Sequence, residues 1–351
     1  MSFIKVINDL SRITVYIESY AINRNNGEWC KRANATGFFV KTENKILLVT
    51  NWHVVTGLDP NNPQKNRGRS VPEVLKITVI SKDNMITELS LPLYNKELEP
   101  LWREHPERNT VDLIVLPISM TLDKYFHIFD IFSELDSHSL TPLVGKDVFI
   151  LGYPFDKDSL KESFDDFDHY FLPIWKRGSI ASEPSALISD KVILIDSLTR
   201  AGMSGSPVVL SEDVSIMVAR TKRGQDVLKR IDEGDVLAIT ESTPEDIGYE
   251  QRQKYSILGV YSGVVGTTKL QELALGKCWH IDVLQNLIEN QIKGKMPYHA
   301  PLPPHPYYEE FVEQTMGVII RIDSNGENIE TIRLSKEYEL PSYSYSYNFR
   351  N

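Results

Sequence analysis

Apolar residues along this chain come in short runs separated by Gly, Asn, Asp or Pro. The runs predict strands at 13–18, 36–41, 45–50, 74–80, 112–117, 147–151, 191–195, 207–210 and 256–260, each rich in Val, Ile, Leu or Phe. Only one later stretch has helical spacing: within 282–291 the apolar residues are Val283, Leu284, Leu287 and Ile288. Many short strands and one late helix predict an all-β sandwich or barrel rather than a parallel α/β sheet.

Three segments interrupt this pattern. Residues 59–70 are rich in Pro, Asn and Arg and read as a surface loop. Residues 156–177 mix charges with aromatics, and 211–255 is long, charged and partly helical in flavour. Such segments are either solvated decoration or loops that frame a cleft. From Met296 the chain becomes Pro-rich, then shows two strand-like runs, 318–322 and 329–334. Asn325-Gly326 between them is a strong hairpin signal. The Tyr/Ser-rich end containing Tyr343, Tyr345 and Tyr347 reads as a loose tail. No internal repeat is visible.

Composition narrows the functional classes. With 351 residues and 41% apolar content the chain is long enough for about two domains. Its formal net charge of -10 disfavours nucleic acid as a partner, since phosphate contacts need clustered Lys and Arg. Two cysteines, Cys30 and Cys278, point to a reducing compartment, although a single bridge between them stays open on sequence alone. The first twenty residues lack a basic region followed by an apolar stretch, and no apolar run is long enough to span a membrane. The expectation is a soluble, cytoplasmic protein without a membrane partner.

Three short segments carry candidate chemistry. In R-A-G-M-S-G-S-P-V-V (200–209), Ser204 lies between Gly202 and Gly205, where the backbone can turn sharply and aim its N–H groups at one point. The same string also reads as a plain turn before a strand. In T-N-W-H-V-V (50–55), a hairpin pattern delivers His53 to the end of a buried strand. In N-T-V-D-L-I-V-L-P (109–117), Asp112 precedes an apolar strand, where a carboxylate is costly to bury unless paired. Together they supply what a serine nucleophile needs. A hydroxyl requires a base, imidazole suits neutral pH, and a carboxylate holds the imidazole tautomer. The chain order His, Asp, Ser is that of the chymotrypsin arrangement.

At this point the chain resembles a trypsin-like (chymotrypsin-fold) serine peptidase, nearer the HtrA-like bacterial branch, without a PDZ module. The resemblance rests on TGFFVKTENKILLVTNWHVV, VDLIVLPI, GKDVFILGYP, RGSIAS and IDSLTRAGMSGSPVV in family order, and covers about residues 10–292. It implies two six-stranded Greek-key barrels. The first, within 1–140, would carry His53 and Asp112. The second, within 141–295, would carry Ser204 and be closed by helix 282–291, leaving 296–351 as a Pro/Tyr-rich extension with a β-hairpin. It further implies a His53–Asp112–Ser204 triad with Gly202 and Ser204 N–H groups as oxyanion hole. Tyr261, Ser262, Gly263 and Val264 would pair with substrate backbone by strand addition. Leu198 and Thr199 would line the primary pocket, with Leu198 at its base.

Two departures change the expectation. Met203 stands where digestive enzymes have the aspartate that binds a new N-terminus, so activation by N-terminal cleavage is not expected. Leu198 offers no carboxylate, so a small or aliphatic residue is expected before the scissile bond. The remaining histidines, including His105, His127 and His280, show no metal-ligand spacing, and no phosphate loop is present, so neither metal nor cofactor is expected. The sequence therefore reads as an endopeptidase acting on protein or peptide, latent until a regulatory protein partner or a stress or defence signal releases it. A non-catalytic binding module on the same fold, or an esterase using the same three residues, are the alternatives.

Overall fold

The structure is a computed structural model that describes residues 7–23, 25–60, 62, 71–95, 97–108, 110–132, 140–156, 171–184, 191–265, 275–295, 308, 310, 311, 314, 318–322 and 328–334. It is built mostly of strands. A short helix α1 (Asp9–Ile13) leads into β1 (Thr14–Ile22), β2 (Trp29–Thr42) and β3 (Lys45–Thr50). After α2 (Trp52–Thr56) come β4 (Val74–Ile80), β5 (Ile86–Pro92), β6 (Arg103–Glu104) and β7 (Ile114–Ile118). The second half contains β8 (Asp147–Gly152), β9 (Ile174–Ile180), β10 (Val192–Asp196) and β11 (Pro207–Ala219). Helix α3 (Lys222–Asp232), β12 (Ile247–Val264), β13 (Leu275–His280) and helix α4 (Ile281–Asn290) follow, then β14 (Ile292–Lys293), β15 (Val318–Ile322) and β16 (Asn328–Arg333).

The strand β3 shows why its sequence is apolar at successive positions rather than alternating. Successive side chains of a strand point to opposite faces. Here Ile46 and Leu48 join the N-terminal core with Val15, Ile17 and Phe39. Leu47 and Val49 face the other way, into a second core with Val209, Trp279 and Leu284 from the C-terminal half. The strand β7 behaves alike, with Ile114 and Leu116 in the first core and Val115 in the second. These strands are therefore the shared wall between the two halves, and the segments ending or starting on them, His53 and Asp112, lie at the junction.

The C-terminal half is a closed six-stranded barrel in the order β10-β13-β12-β11-β8-β9. The N-terminal strands differ from the second closed barrel that the resemblance implies. They form one ten-stranded sheet in the order β14-β6-β7-β3-β2-β1-β4-β5-β15-β16. Its ends are covered by the chain's own later segments: β14 pairs with β6, and β15 pairs with β5 through Ile319↔Leu89 and Ile320↔Glu88. These pairings give the outer backbone groups of β6 and β5 partners, so neither strand is an edge of the sheet. The hairpin expected near the C-terminus is thus a continuation of the N-terminal sheet, with Ile319 buried in its core. Tyr308 anchors the segment before it, its hydroxyl donating to Tyr94 O at 2.7 Å and accepting from Tyr94 N–H at 3.2 Å.

Residues 211–255, read as an insertion, form a long arm. The strands β11 and β12 stay paired to Ala219↔Ile247, whereas β11 meets β8 only over Val208–Leu210. Helix α3 and a short 3-10 turn (Val236–Glu241) cap the arm, and Val227, Ala238 and Ile247 form its own small core. Thr221 caps α3 by accepting a hydrogen bond from Gly224 N–H at 3.1 Å. The reading of 156–177 as an insertion needs correction at its end, where residues from Ile174 onward belong to β9. Most of 59–70, the acidic run 165–168 and the final tyrosines lie outside the described residues. Cys30 and Cys278 are both free thiols, the second buried.

Candidate active site

His53 is placed by the end of β3. Asn51 follows the strand in extended backbone, and α2 begins at Trp52 and stops at Gly57, whose φ of +68° closes the turn. The Asn51 amide donates to the Asp112 backbone carbonyl at 2.8 Å, tying the histidine turn to the residue before β7. Asp112 then grips His53 twice. Its Oδ1 accepts from the His53 backbone N–H at 3.0 Å, and its Oδ2 lies 2.8 Å from His53 Nδ1. A third donor, Ser262 Oγ, reaches the same Oδ2 at 2.5 Å. The carboxylate is only 2% exposed, and these three bonds are what make its burial tolerable.

A carboxylate can only accept, so the Nδ1 facing it carries the proton and Nε2 is the free lone-pair nitrogen. Burial alone would lower the His53 pKa. The charge and hydrogen bond of Asp112, with a further contribution from Asp59, outweigh that and leave it raised above 6.5. Lys277 stands 4.1 Å over the Trp279 ring, and burial lowers its pKa against the opposing pull of the Asp112 charge.

Ser204 sits half-buried in a tight loop between Gly202 (φ +95°) and Gly205 (φ +87°). These two positions need glycine for space as well as conformation. A Cβ on Gly202 would lie 2.2 Å from Tyr153 O, and one on Gly205 would lie 2.0 Å from Thr36 O. The loop is tied to both halves of the molecule. Thr36 N–H donates to Ser204 O at 2.8 Å and Gly205 N–H donates to Tyr261 O at 2.9 Å. Among the described residues the backbone N–H groups of Gly202 and Ser204 meet no acceptor, and no hydrogen bond joins Ser204 Oγ to His53. Met203 points inward and is fully buried in the C-terminal core with Ile150, Ile180 and Val208.

The strand-addition residues lie beside this loop. Tyr261 N–H donates to Ser206 O at 2.8 Å, after which β12 bulges: Tyr261 pairs with Cys278 and Val264 with Gly276, so Ser262 and Gly263 leave the ladder. Gly263 has φ +103° with open space around it. Of the four, Ser262, Gly263 and Val264 reach the surface, whereas the Tyr261 side chain is buried and its hydroxyl pairs with Thr199 Oγ1. That burial pushes the Tyr261 pKa up to about 12. Leu198 is 67% exposed, so it does not form the enclosed pocket base expected of it. The neighbouring Thr199 is tied to Tyr261, whose ring packs against Gly276.

Sequence reasoning missed Thr36 and Asn51, and placed Ser262 only as a backbone contact. The signal was present as polar residues inside an otherwise apolar hairpin. Thr36, Thr50 and Asn51 are all fully buried, and a buried polar group has a hydrogen-bonding reason to be there.

A mainly β molecule of two sheet-built halves, with His53 and Asp112 at the edge of one and Ser204 in a glycine-flanked loop of the other, defines the chymotrypsin-like class. The family model of the trypsin-like peptidase domain matches residues 35–216, just over half of the chain, and the chain belongs to that family. No curated protein matches it. His53, Asp112 and Ser204 all fall within the matched segment, while Ser262 and the C-terminal hairpin fall beyond it.

Proposed function

We propose that this protein is a serine endopeptidase in which His53, Asp112 and Ser204 act as a triad. The observation that carries the reading is the grip of Asp112 on His53, through both its backbone N–H and its ring Nδ1. In the neutral ring it keeps the proton on Nδ1 and the Nε2 lone pair free and oriented, the state a general base needs. Ser204 Oγ attacks the scissile carbonyl carbon while its proton passes to His53 Nε2. The carbonyl oxygen becomes an oxyanion that the free N–H groups of Gly202 and Ser204 receive. Collapse breaks the C–N bond, the amine leaves with the proton from His53, and an ester to Ser204 remains. Water, deprotonated by the same imidazole, hydrolyses that ester and restores the enzyme.

Substrate backbone would lie along the unpaired stretch Ser262–Val264 as an added strand. A preference for a small or aliphatic residue before the scissile bond is supported by Leu198, which offers no carboxylate, and by the neutral Thr199–Tyr261 contact beside it. Regulation by a protein partner belongs to the same reading, since unrestrained peptidase activity would harm its own cell. The test is hydrolysis of an unstructured protein and of a small ester by wild type and Ser204→Ala. Cleavage of both by wild type alone supports the endopeptidase; turnover of the ester without the protein would assign an esterase instead.

A further inference from the structure

We infer that Thr36 is a positioning residue that holds the oxyanion loop in its productive shape from across the boundary between the two halves. The inference rests on the peptidase reading and assigns a role to a residue outside the three reacting side chains.

Thr36 is fully buried at a point where β2 meets the Ser204 loop, and all of its polar groups are engaged there. Its hydroxyl donates to Gly202 O at 2.7 Å and accepts from Tyr153 N–H at 3.0 Å. Its N–H donates to Ser204 O at 2.8 Å. Its own carbonyl accepts from Thr50 Oγ1 at 2.9 Å. One residue therefore fixes the carbonyls on both sides of Met203, those of the 202–203 and 204–205 peptides, which adjoin the peptides that carry the two free N–H groups.

The connection runs onward to the base. Thr50 is the last residue of β3, three positions before His53, and Asn51 next to it holds the Asp112 backbone. The chain of bonds Gly202–Thr36–Thr50 thus registers the loop that would receive the oxyanion against the strand that delivers the imidazole. This matters because, among the described residues, no ion pair anchors the loop. The Met203 side chain contributes only apolar packing, which is non-directional, while its backbone carbonyl accepts from Ser206 N–H at 3.1 Å and its N–H donates to Arg200 O at 3.3 Å. The hydroxyl of Thr36 supplies the direction that packing does not. A hydroxyl is required for this, because a methyl in its place would leave Gly202 O and Tyr153 N–H buried without partners.

The experiment compares Thr36→Val, which keeps the shape and removes the hydroxyl, with Thr36→Ser, which keeps the hydroxyl. Steady-state hydrolysis of a peptide ester is measured for each across pH. Thr36→Val is expected to lose about 10- to 100-fold in kcat with KM changed little, since an interaction used in the transition state is weakened. The acid limb of its pH profile should match wild type, because the His53–Asp112 pair is untouched. Thr36→Ser should recover to near wild-type kcat. Equal kcat in Thr36→Val and wild type, or equal losses in both variants, would overturn the assignment. If wild type turns over no substrate, it is the peptidase reading that fails. The loop claim is then read by hydrogen exchange of residues 200–206. Faster exchange in Thr36→Val but not in Thr36→Ser supports it, and equal exchange in all three proteins contradicts it.

Discussion

The hydroxyl of Ser262 donates to Asp112 Oδ2 at 2.5 Å, the same oxygen that lies 2.8 Å from His53 Nδ1. A residue at the bulge of β12 in the C-terminal barrel therefore shares the carboxylate that holds His53 in the N-terminal half. Removing that hydroxyl leaves more of the negative charge for His53 alone. Ser262→Ala is expected to raise the pH of the acid limb in a kcat/KM profile and to lower activity by roughly 10-fold, the cost of one hydrogen bond to a charged group. An acid limb that stays in place or falls would show that Ser262 does not bear on the pair.

The His53 pKa has a consequence for stability as well as rate. Because the folded value is raised, the charged His53–Asp112 pair contributes stability that is fully present below the ordinary histidine value of 6.5. That contribution is lost as pH rises through the folded value. Activity runs the opposite way, since only neutral imidazole serves as base. The acid limb of kcat/KM is expected above 6.5, and in Asp112→Asn the rate should fall by roughly 10⁴-fold. A ring-proton titration by NMR giving His53 a value below 6.5 would contradict this account.

Peptide libraries cleaved by the enzyme should show small or aliphatic residues before the scissile bond. The contact between Thr199 and Tyr261 is neutral, and the exposed Leu198 offers no carboxylate to receive a basic side chain. A profile dominated by Lys or Arg would overturn the pocket assignment while leaving the reacting residues untouched.

How much of this was legible in the sequence varied with the kind of residue involved. The strands β3 and β7 were plain, because a wall between two cores is apolar on both faces and gives unbroken runs such as Ile46–Val49. The strands β5 and β9 were not recognised. In β5 the buried positions include Thr87 and Glu88, which interrupt the apolar pattern, and β9 begins with an exposed Ile174 inside a charged stretch. The arm hid its strands because beyond the barrel neither face is fully buried, and the apolar Val214, Ile216 and Val218 stand between the charges of Glu212 and Asp213 and the charged helix that follows. Among the site residues, His53, Asp112 and Ser204 each stood beside a turn or strand end that marked them. Thr36 did not, since a threonine in a strand is ordinary until its hydroxyl is seen bridging Gly202 and Tyr153.

After residue 295 the described strands β15 and β16 are part of the N-terminal sheet. Strand β15 covers the edge of β5, and Tyr308 and Ile319 are buried. Truncation after Lys295 is expected to lower the thermal midpoint by several degrees or more, because each large buried side chain contributes on the order of 2 kcal/mol. A truncated protein that melts like wild type would show that the hairpin adds nothing to the fold.

The central claim is that Ser204 is a nucleophile activated by His53. The most direct measurement is reaction of the purified full-length protein with a fluorophosphonate probe, with the adduct located by peptide mass spectrometry. Wild type should gain a single phosphonyl group on Ser204, while Ser204→Ala and His53→Ala gain none. An unlabelled wild type, or a label that persists in Ser204→Ala, would contradict the account.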